Sequence, residues 1–123
     1  MSDNGGRSVL EDKAFAFAVR IVRLHRFLLQ KHTPHSLASQ ILRSGTSVGA
    51  NVTEAQDAQS RKDFIAKLSI ALKEARESLY WIRLLIKTDY LNDSETTVTT
   101  LMDENEQLIK LLVSILKTTK ETK

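Results

Sequence analysis

The segment SRKDFIAKLSIALKEARESLYWIRLLIKT, residues 60–88, has the clearest apolar periodicity in the chain. Its apolar side chains recur at the three- and four-residue spacing that places them along one face of a helix. The heptad series is Ile65, Leu72, Leu79 and Ile86, interleaved with Leu68, Ala75 and Ile82 and broadened by Phe64, Ala71 and Leu85. Ser60, with Asp63 three residues later, is typical of a capping-box start. The pattern predicts one long amphipathic helix that packs this apolar face, the heptad seam, against the core of the protein.

Three other segments carry the same periodicity, and they predict helices at about 9–32, 34–58 and 94–118. Thr33 is the expected cap of the second helix, with Pro34 at its first helical position. Loops of only a few residues force consecutive helices to pack as antiparallel neighbours. The sequence therefore predicts an all-α, antiparallel, up-down-up-down four-helix bundle over residues 9–119. Residues 1–8 are expected to be a flexible N-terminus and residues 120–123 a frayed tail.

Composition supports one globular domain and narrows its chemistry. The chain has 123 residues, 41% of them hydrophobic, with four Gly, one Pro and no Cys. The absence of Cys excludes disulfides, thiolate nucleophiles and Cys-based metal sites, and it favours the cytoplasm. No apolar run reaches the roughly 20 residues that a membrane-spanning helix needs. We expect a cytoplasmic protein without a membrane segment.

No residue pattern points to catalysis, a metal or a cofactor. Ser44 and Ser47 have no His within local reach to activate them. Gly45 and Gly49 suggest a phosphate loop, but Ala50 stands where the P-loop needs Lys, and their spacing suits helix contact better. The three histidines have no carboxylate nearby in sequence to complete a ligand set; they are His25, His32 and His35. Asp103, Glu104 and Glu106 resemble a solvated face. The sequence predicts a protein that is not an enzyme.

Arg43, Asn51 and Glu54 share part of one face of the second helix. They could line a polar pocket, but the small residues between them favour an internal network that fixes the register of the bundle or of a subunit interface. If Glu54 is the partner of Arg43, the substitution Glu54→Ala should lower stability by a few kcal/mol.

Two surface patterns suggest binding. Lys73, Arg76, Tyr80, Arg83 and Lys87 recur at helical spacing opposite the heptad seam, and the first helix adds Arg20, Arg23, Arg26 and Lys31. Arginine and lysine could hold phosphates while Tyr80 stacks on an unpaired base. The first helix also carries a second apolar stripe that one neighbouring helix pair would not cover, formed by Phe15, Val19, Val22 and Leu29.

Residues 40–55, QILRSGTSVGANVTEA, and 60–75, SRKDFIAKLSIALKEA, followed by Tyr80 and Trp81, resemble the bacterial four helix bundle proteins, also called 23S rRNA intervening-sequence proteins. The resemblance covers essentially the whole chain. It implies a bundle that assembles as a ring-shaped homopentamer, with an association with RNA. The chain is also similar to the accessory protein of diversity-generating retroelements, a basic pentamer that binds nucleic acid and a reverse transcriptase.

The first hypothesis is a homo-oligomer that binds RNA with little sequence preference through the basic residues of the third and first helices. The net charge of the chain is only +3, so several copies of the basic stripe must combine their positive electrostatic fields to bind RNA. The alternative is a protein-interaction scaffold, in which the surplus apolar stripe and the acidic fourth helix dock a protein and the basic stripe is only a solvated face.

Overall fold

The computed structural model of the chain describes residues 6–121. Four helices occupy this range: α1 Gly6–Gln30, α2 His35–Gln56, α3 Arg61–Lys87 and α4 Thr96–Glu121. The predicted flexible segment 1–8 and frayed tail 120–123 fall partly outside the described residues. Inside them, α1 already begins at Gly6 and α4 continues to Glu121.

Each helix packs against the next one along the chain, and α4 returns to pack against α1. Within the described range, the backbones of α1 and α3 do not approach each other closely, and neither do those of α2 and α4. The connections at 31–34, 57–60 and 88–95 are short, so neighbouring helices run antiparallel. The prediction of an all-α, up-down-up-down four-helix bundle is confirmed. Because α1 and α3 stand at opposite corners, they present their outer faces on opposite sides of the subunit.

The helix ends agree with the sequence-based prediction at the start of α3 and differ from it at the start of α2. Ser60 Oγ accepts the Asp63 N–H at 3.0 Å, which confirms the predicted cap of α3. The predicted cap of α2 is wrong, because Pro34 takes the N-cap position and no side chain bonds there. The Thr33 N–H instead donates to Leu28 O at 3.0 Å. His32, at φ 62°, supplies the left-handed turn that ends α1.

The fully buried residues of α3 are not the heptad series Ile65, Leu72, Leu79 and Ile86 that the sequence analysis placed along the apolar face of this helix. Leu68, Ala75 and Ile82 are fully buried together with Ala71, Ser78 and Leu85. Ile65, Leu72, Leu79 and Ile86 are half-buried at the flank. The small side chains of Ala71, Ala75 and Ser78 admit the neighbouring helices, so the face that carries them turns inward.

Two polar contacts lie inside this core. Ser78 Oγ is 3.1 Å from Ser44 Oγ of α2, and both residues are fully buried. Asn105 of α4, also fully buried, donates its Nδ2–H to Ala75 O at 2.9 Å. These bonds tie α3 to both of its neighbours.

Within residues 6–121, no helix combines the length and the apolarity that crossing a bilayer requires.

Candidate nucleic-acid interface

The outer face of α3 carries the predicted basic stripe, which we call the α3 ridge: Lys73, Arg76, Tyr80, Arg83 and Lys87. All five residues are exposed, and Tyr80 is 56% exposed. Among residues 6–121, the four cations of the ridge have no ion pair and no side-chain hydrogen bond. The ridge is therefore positively charged along its whole length.

The acidic residues of α3 leave the ridge unpaired because they are engaged elsewhere. Asp63 belongs to the N-terminal cap. Glu74 and Glu77 face α2, where Arg43 Nη1 donates to Glu74 Oε1 at 3.2 Å and Arg43 Nη2 donates to Glu77 Oε2. Arg43 thus binds the two carboxylates that stand closest in sequence to the ridge cations, on the α2 side of α3, and offsets one of their two charges. These partners of Arg43 were not predicted from the sequence, although Glu77 lies one helical turn from both Lys73 and Tyr80 of the ridge.

The α1 arginines do not share a surface with the α3 ridge in one subunit, because α1 and α3 occupy opposite corners. Arg20 is half-buried, and its Nε lies 2.9 Å from Glu104 Oε1 of α4. Arg23 and Arg26 are exposed. Arg26 falls within the second apolar stripe of α1, four residues after Val22. Within one subunit the α1 arginines and the α3 ridge are therefore two separate surfaces, and nucleic-acid binding by Arg20, Arg23 and Arg26 stays a prediction.

The three α2 residues predicted as one polar network have separate partners. Arg43 pairs with α3, as described above. Asn51 Nδ2–H donates to Ser47 O of its own helix at 2.9 Å. Glu54 accepts from Lys67 Nζ at 2.9 Å, and this hydrogen bond raises the pKa of the Lys67 ammonium. The predicted pairing of Glu54 with Arg43 is therefore wrong. The long Arg43 side chain reaches across to two glutamates of α3 instead.

These contacts reverse the expectation for Glu54. Glu54→Ala should lower the free energy of unfolding by less than about 1 kcal/mol, since an exposed ion pair contributes little. Arg43→Ala should lower it by about 1–2 kcal/mol, because it leaves Glu74 and Glu77 facing each other without a counter-charge. Urea unfolding of the two variants measures the difference. Equal losses, or a larger loss for Glu54→Ala, would contradict the assignment of partners.

The second apolar stripe of α1 lies on the surface. Phe15 is 71% exposed and Val22 is 42% exposed, while Val19 and Leu29 are half-buried. A shallow groove of about 390 Å³ between α1 and α2 continues the stripe, lined by Phe15, Ala18, Thr46, Gly49, Ala50, Thr53 and Glu54. An exposed aromatic beside an apolar groove is typical of a contact surface for another protein chain.

The residues considered for catalysis or metal binding lie in the core, pair with other residues or are exposed. The Ser44 hydroxyl is buried against Ser78, so it faces the core. Across residues 6–121, no three His, Asp or Glu side chains gather closely enough to hold a metal ion. Of the acidic α4 residues, Asp103 and Glu106 are exposed, and Glu104 pairs with Arg20.

Comparison with known proteins agrees with the resemblance carried by residues 40–55 and 60–75. The family model described as "23S rRNA-intervening sequence protein" matches residues 8–114. A solved structure from Bacteroides thetaiotaomicron VPI-5482, a protein with unknown function from the S23 ribosomal protein family, is 48% identical. The match covers 91% of this chain and 98% of that one, with a TM-score of 0.85. No curated protein matches the chain.

Proposed function

The chain belongs to the family of 23S rRNA-intervening sequence proteins, and from that premise we propose that it is a non-enzymatic, oligomeric protein that binds RNA on the α3 ridge. The observation that carries the proposal is the set of four exposed ridge cations without an acidic partner among residues 6–121. The family name links these proteins to ribosomal RNA, and an RNA ligand agrees with the expected cytoplasmic location.

The ridge suits a phosphate backbone better than a particular base sequence. From Lys73 to Lys87 it extends about 21 Å, at about 1.5 Å per residue of helix. Lysine and arginine contacts to phosphates fix position but carry no sequence information. We therefore expect binding with little sequence preference.

Self-association supplies the field that one subunit lacks. The net charge of +3 is modest, and the α1 arginines stand on the opposite side from the ridge. The exposed stripe around Phe15 offers a second copy an apolar surface at a corner of the bundle away from the ridge. Assembly of this stripe against a surface other than the ridge of the next subunit leaves every ridge exposed, and several ridges on one particle bind a long RNA with avidity. A ring of five is the assembly that the family resemblance implies.

The dependence of binding on salt tests the proposal. Four neutralised phosphates on a single strand give a slope of about −3 in log K against log salt, so the affinity should fall about 50-fold between 50 and 200 mM KCl. Fluorescence anisotropy of a labelled 20-nucleotide RNA measures it. A slope near zero, or no binding at 50 mM KCl, would contradict the proposal.

A second function, a scaffold for another protein, is favoured by the same exposed Phe15 and Val22. In that case the purified chain stays monomeric, does not bind RNA, and retains one defined partner after nuclease treatment. Mass in solution together with the salt titration separates the two functions.

A further inference from the structure

Tyr80 stands in the middle of the α3 ridge, with Arg76 one helical turn before it and Arg83 one turn after. Its ring is 56% exposed, and within residues 6–121 its hydroxyl has no hydrogen-bond partner. A helix face that served only to hold charge in water would place polar side chains at this position. An exposed aromatic between two arginines has the composition of a single-strand binding surface.

The Tyr80 ring does not stand alone. It packs edge-to-face against the Trp81 ring, with centroids 5.0 Å apart and an interplanar angle of 73°. Trp81 is half-buried against the core. Its Nε1–H donates to Glu77 Oε2 at 2.9 Å.

Arg43 of α2 also donates to Glu77, so the support beneath the two rings reaches across two helices. Arg43 holds Glu77, Glu77 holds the Trp81 indole, and the indole limits the positions of the Tyr80 ring. An aromatic ring that is already held in place loses little conformational freedom when a ligand stacks on it.

Resting on the proposed function, we propose that the α3 ridge selects single-stranded RNA, with one unpaired base stacked on Tyr80 and the flanking phosphates held by Arg76 and Arg83. Trp81 is a positioning residue for that ring. Duplex RNA keeps its bases stacked inside the helix and offers the ridge only phosphates and the shallow groove. It therefore gains the electrostatic part of binding and lacks the stacking part.

The test compares three labelled ligands by anisotropy at one salt concentration: a 12-nucleotide oligo(U), an abasic strand of the same length, and a 12-base-pair RNA duplex. The intact protein should bind oligo(U) most tightly. Tyr80→Ala should weaken oligo(U) binding about 5- to 100-fold, the usual range for the loss of one stacked base. It should leave duplex and abasic binding unchanged, and Tyr80→Phe should bind all three ligands as the intact protein does.

Trp81 supplies two further readouts. It is the only tryptophan in the chain, so oligo(U) should quench its fluorescence while the abasic strand leaves it unchanged. Trp81→Leu should weaken oligo(U) binding without affecting the duplex, and Trp81→Phe should restore it because a phenyl ring can also pack edge-to-face.

The outcomes separate this inference from the proposed function. If Tyr80→Ala binds oligo(U) as tightly as the intact protein, or if the abasic strand binds as well as oligo(U), stacking on Tyr80 is overturned. Salt-dependent binding that is lost on replacing all four ridge cations by Gln would still support the RNA function. If none of the ligands binds at 50 mM KCl, both proposals fall.

Discussion

Gly45→Val is expected to lower the free energy of unfolding by about 3 kcal/mol or more, because α1 leaves no room for a side chain at this position. A Cβ atom at Gly45 would lie 2.6 Å from Ile21 Cγ1 and 2.8 Å from both Ile21 Cγ2 and Cδ1. Ile21 is fully buried, so it cannot move aside into solvent. Either α1 and α2 separate or Ile21 leaves its preferred rotamer.

Alanine at the two α2 glycines gives the matched comparison. Gly45→Ala should cost about 1–2 kcal/mol, since the clash exceeds the gain of about 1 kcal/mol in helix propensity. A Cβ at Gly49 would be in ordinary contact with Ala14, whose O is nearest at 3.4 Å, so Gly49→Ala should leave stability unchanged or raise it by up to about 1 kcal/mol.

Thermal and urea unfolding at one fixed protein concentration measure these differences, and a loss of about 3 kcal/mol corresponds to roughly 10 °C in Tm. Adding Ile21→Ala to Gly45→Ala should cost less than the sum of the two single changes, because alanine lacks the three Ile21 atoms that the new Cβ would meet. Equal effects of alanine at positions 45 and 49 would contradict the close approach of α1 at Gly45.

The sequence predicted the parts of this fold that depend on spacing along one helix. Apolar periodicity located all four helices, and Ser60 with Asp63 marked the start of α3. The spacing of Gly45 and Gly49 predicted helix contact, which the approach of Ile21 to Gly45 now explains. In each case the signal lies within a few residues and does not require knowledge of the neighbouring helix.

Features that depend on a second helix could not be predicted from the spacing of residues along one helix. Arg43 pairs with Glu74 and Glu77, 31 and 34 residues away, because a long side chain takes the partners that the neighbouring helix presents. Burial of Asn105 also depends on a partner, the carbonyl of Ala75. The separation of the α1 arginines from the ridge follows from the order of helices around the bundle, which the spacing of charges does not encode.

The Tyr80–Trp81 pair depends in part on spacing within α3 and in part on a second helix. The place of Tyr80 in the basic stripe follows from helical spacing alone. The hydrogen bond from Trp81 to Glu77 also spans one turn of α3, yet its significance depends on Arg43 from α2. Support of this kind becomes visible only when both helices are in place.

Phe15→Asp is expected to convert the proposed assembly to monomers and to weaken RNA binding at least tenfold, with the bundle itself intact. Phe15 is 71% exposed, so its loss removes little from the core of the subunit. Burial of one phenylalanine in an interface contributes about 1.5–3 kcal/mol, and a carboxylate in its place adds an unpaired charge to an apolar contact. In a closed ring every interface carries the change, so the losses accumulate.

Ser114→Asp is the control, since it adds the same charge at an exposed position on α4, which does not carry the stripe. Light scattering at micromolar concentration gives the mass of each protein, circular dichroism checks the fold, and anisotropy at 50 mM KCl gives RNA affinity. An unchanged mass in Phe15→Asp would exclude the stripe as the interface. A monomer that binds RNA as tightly as the intact protein would show that a single α3 ridge is sufficient, because avidity can be lost only if several ridges contact the same strand.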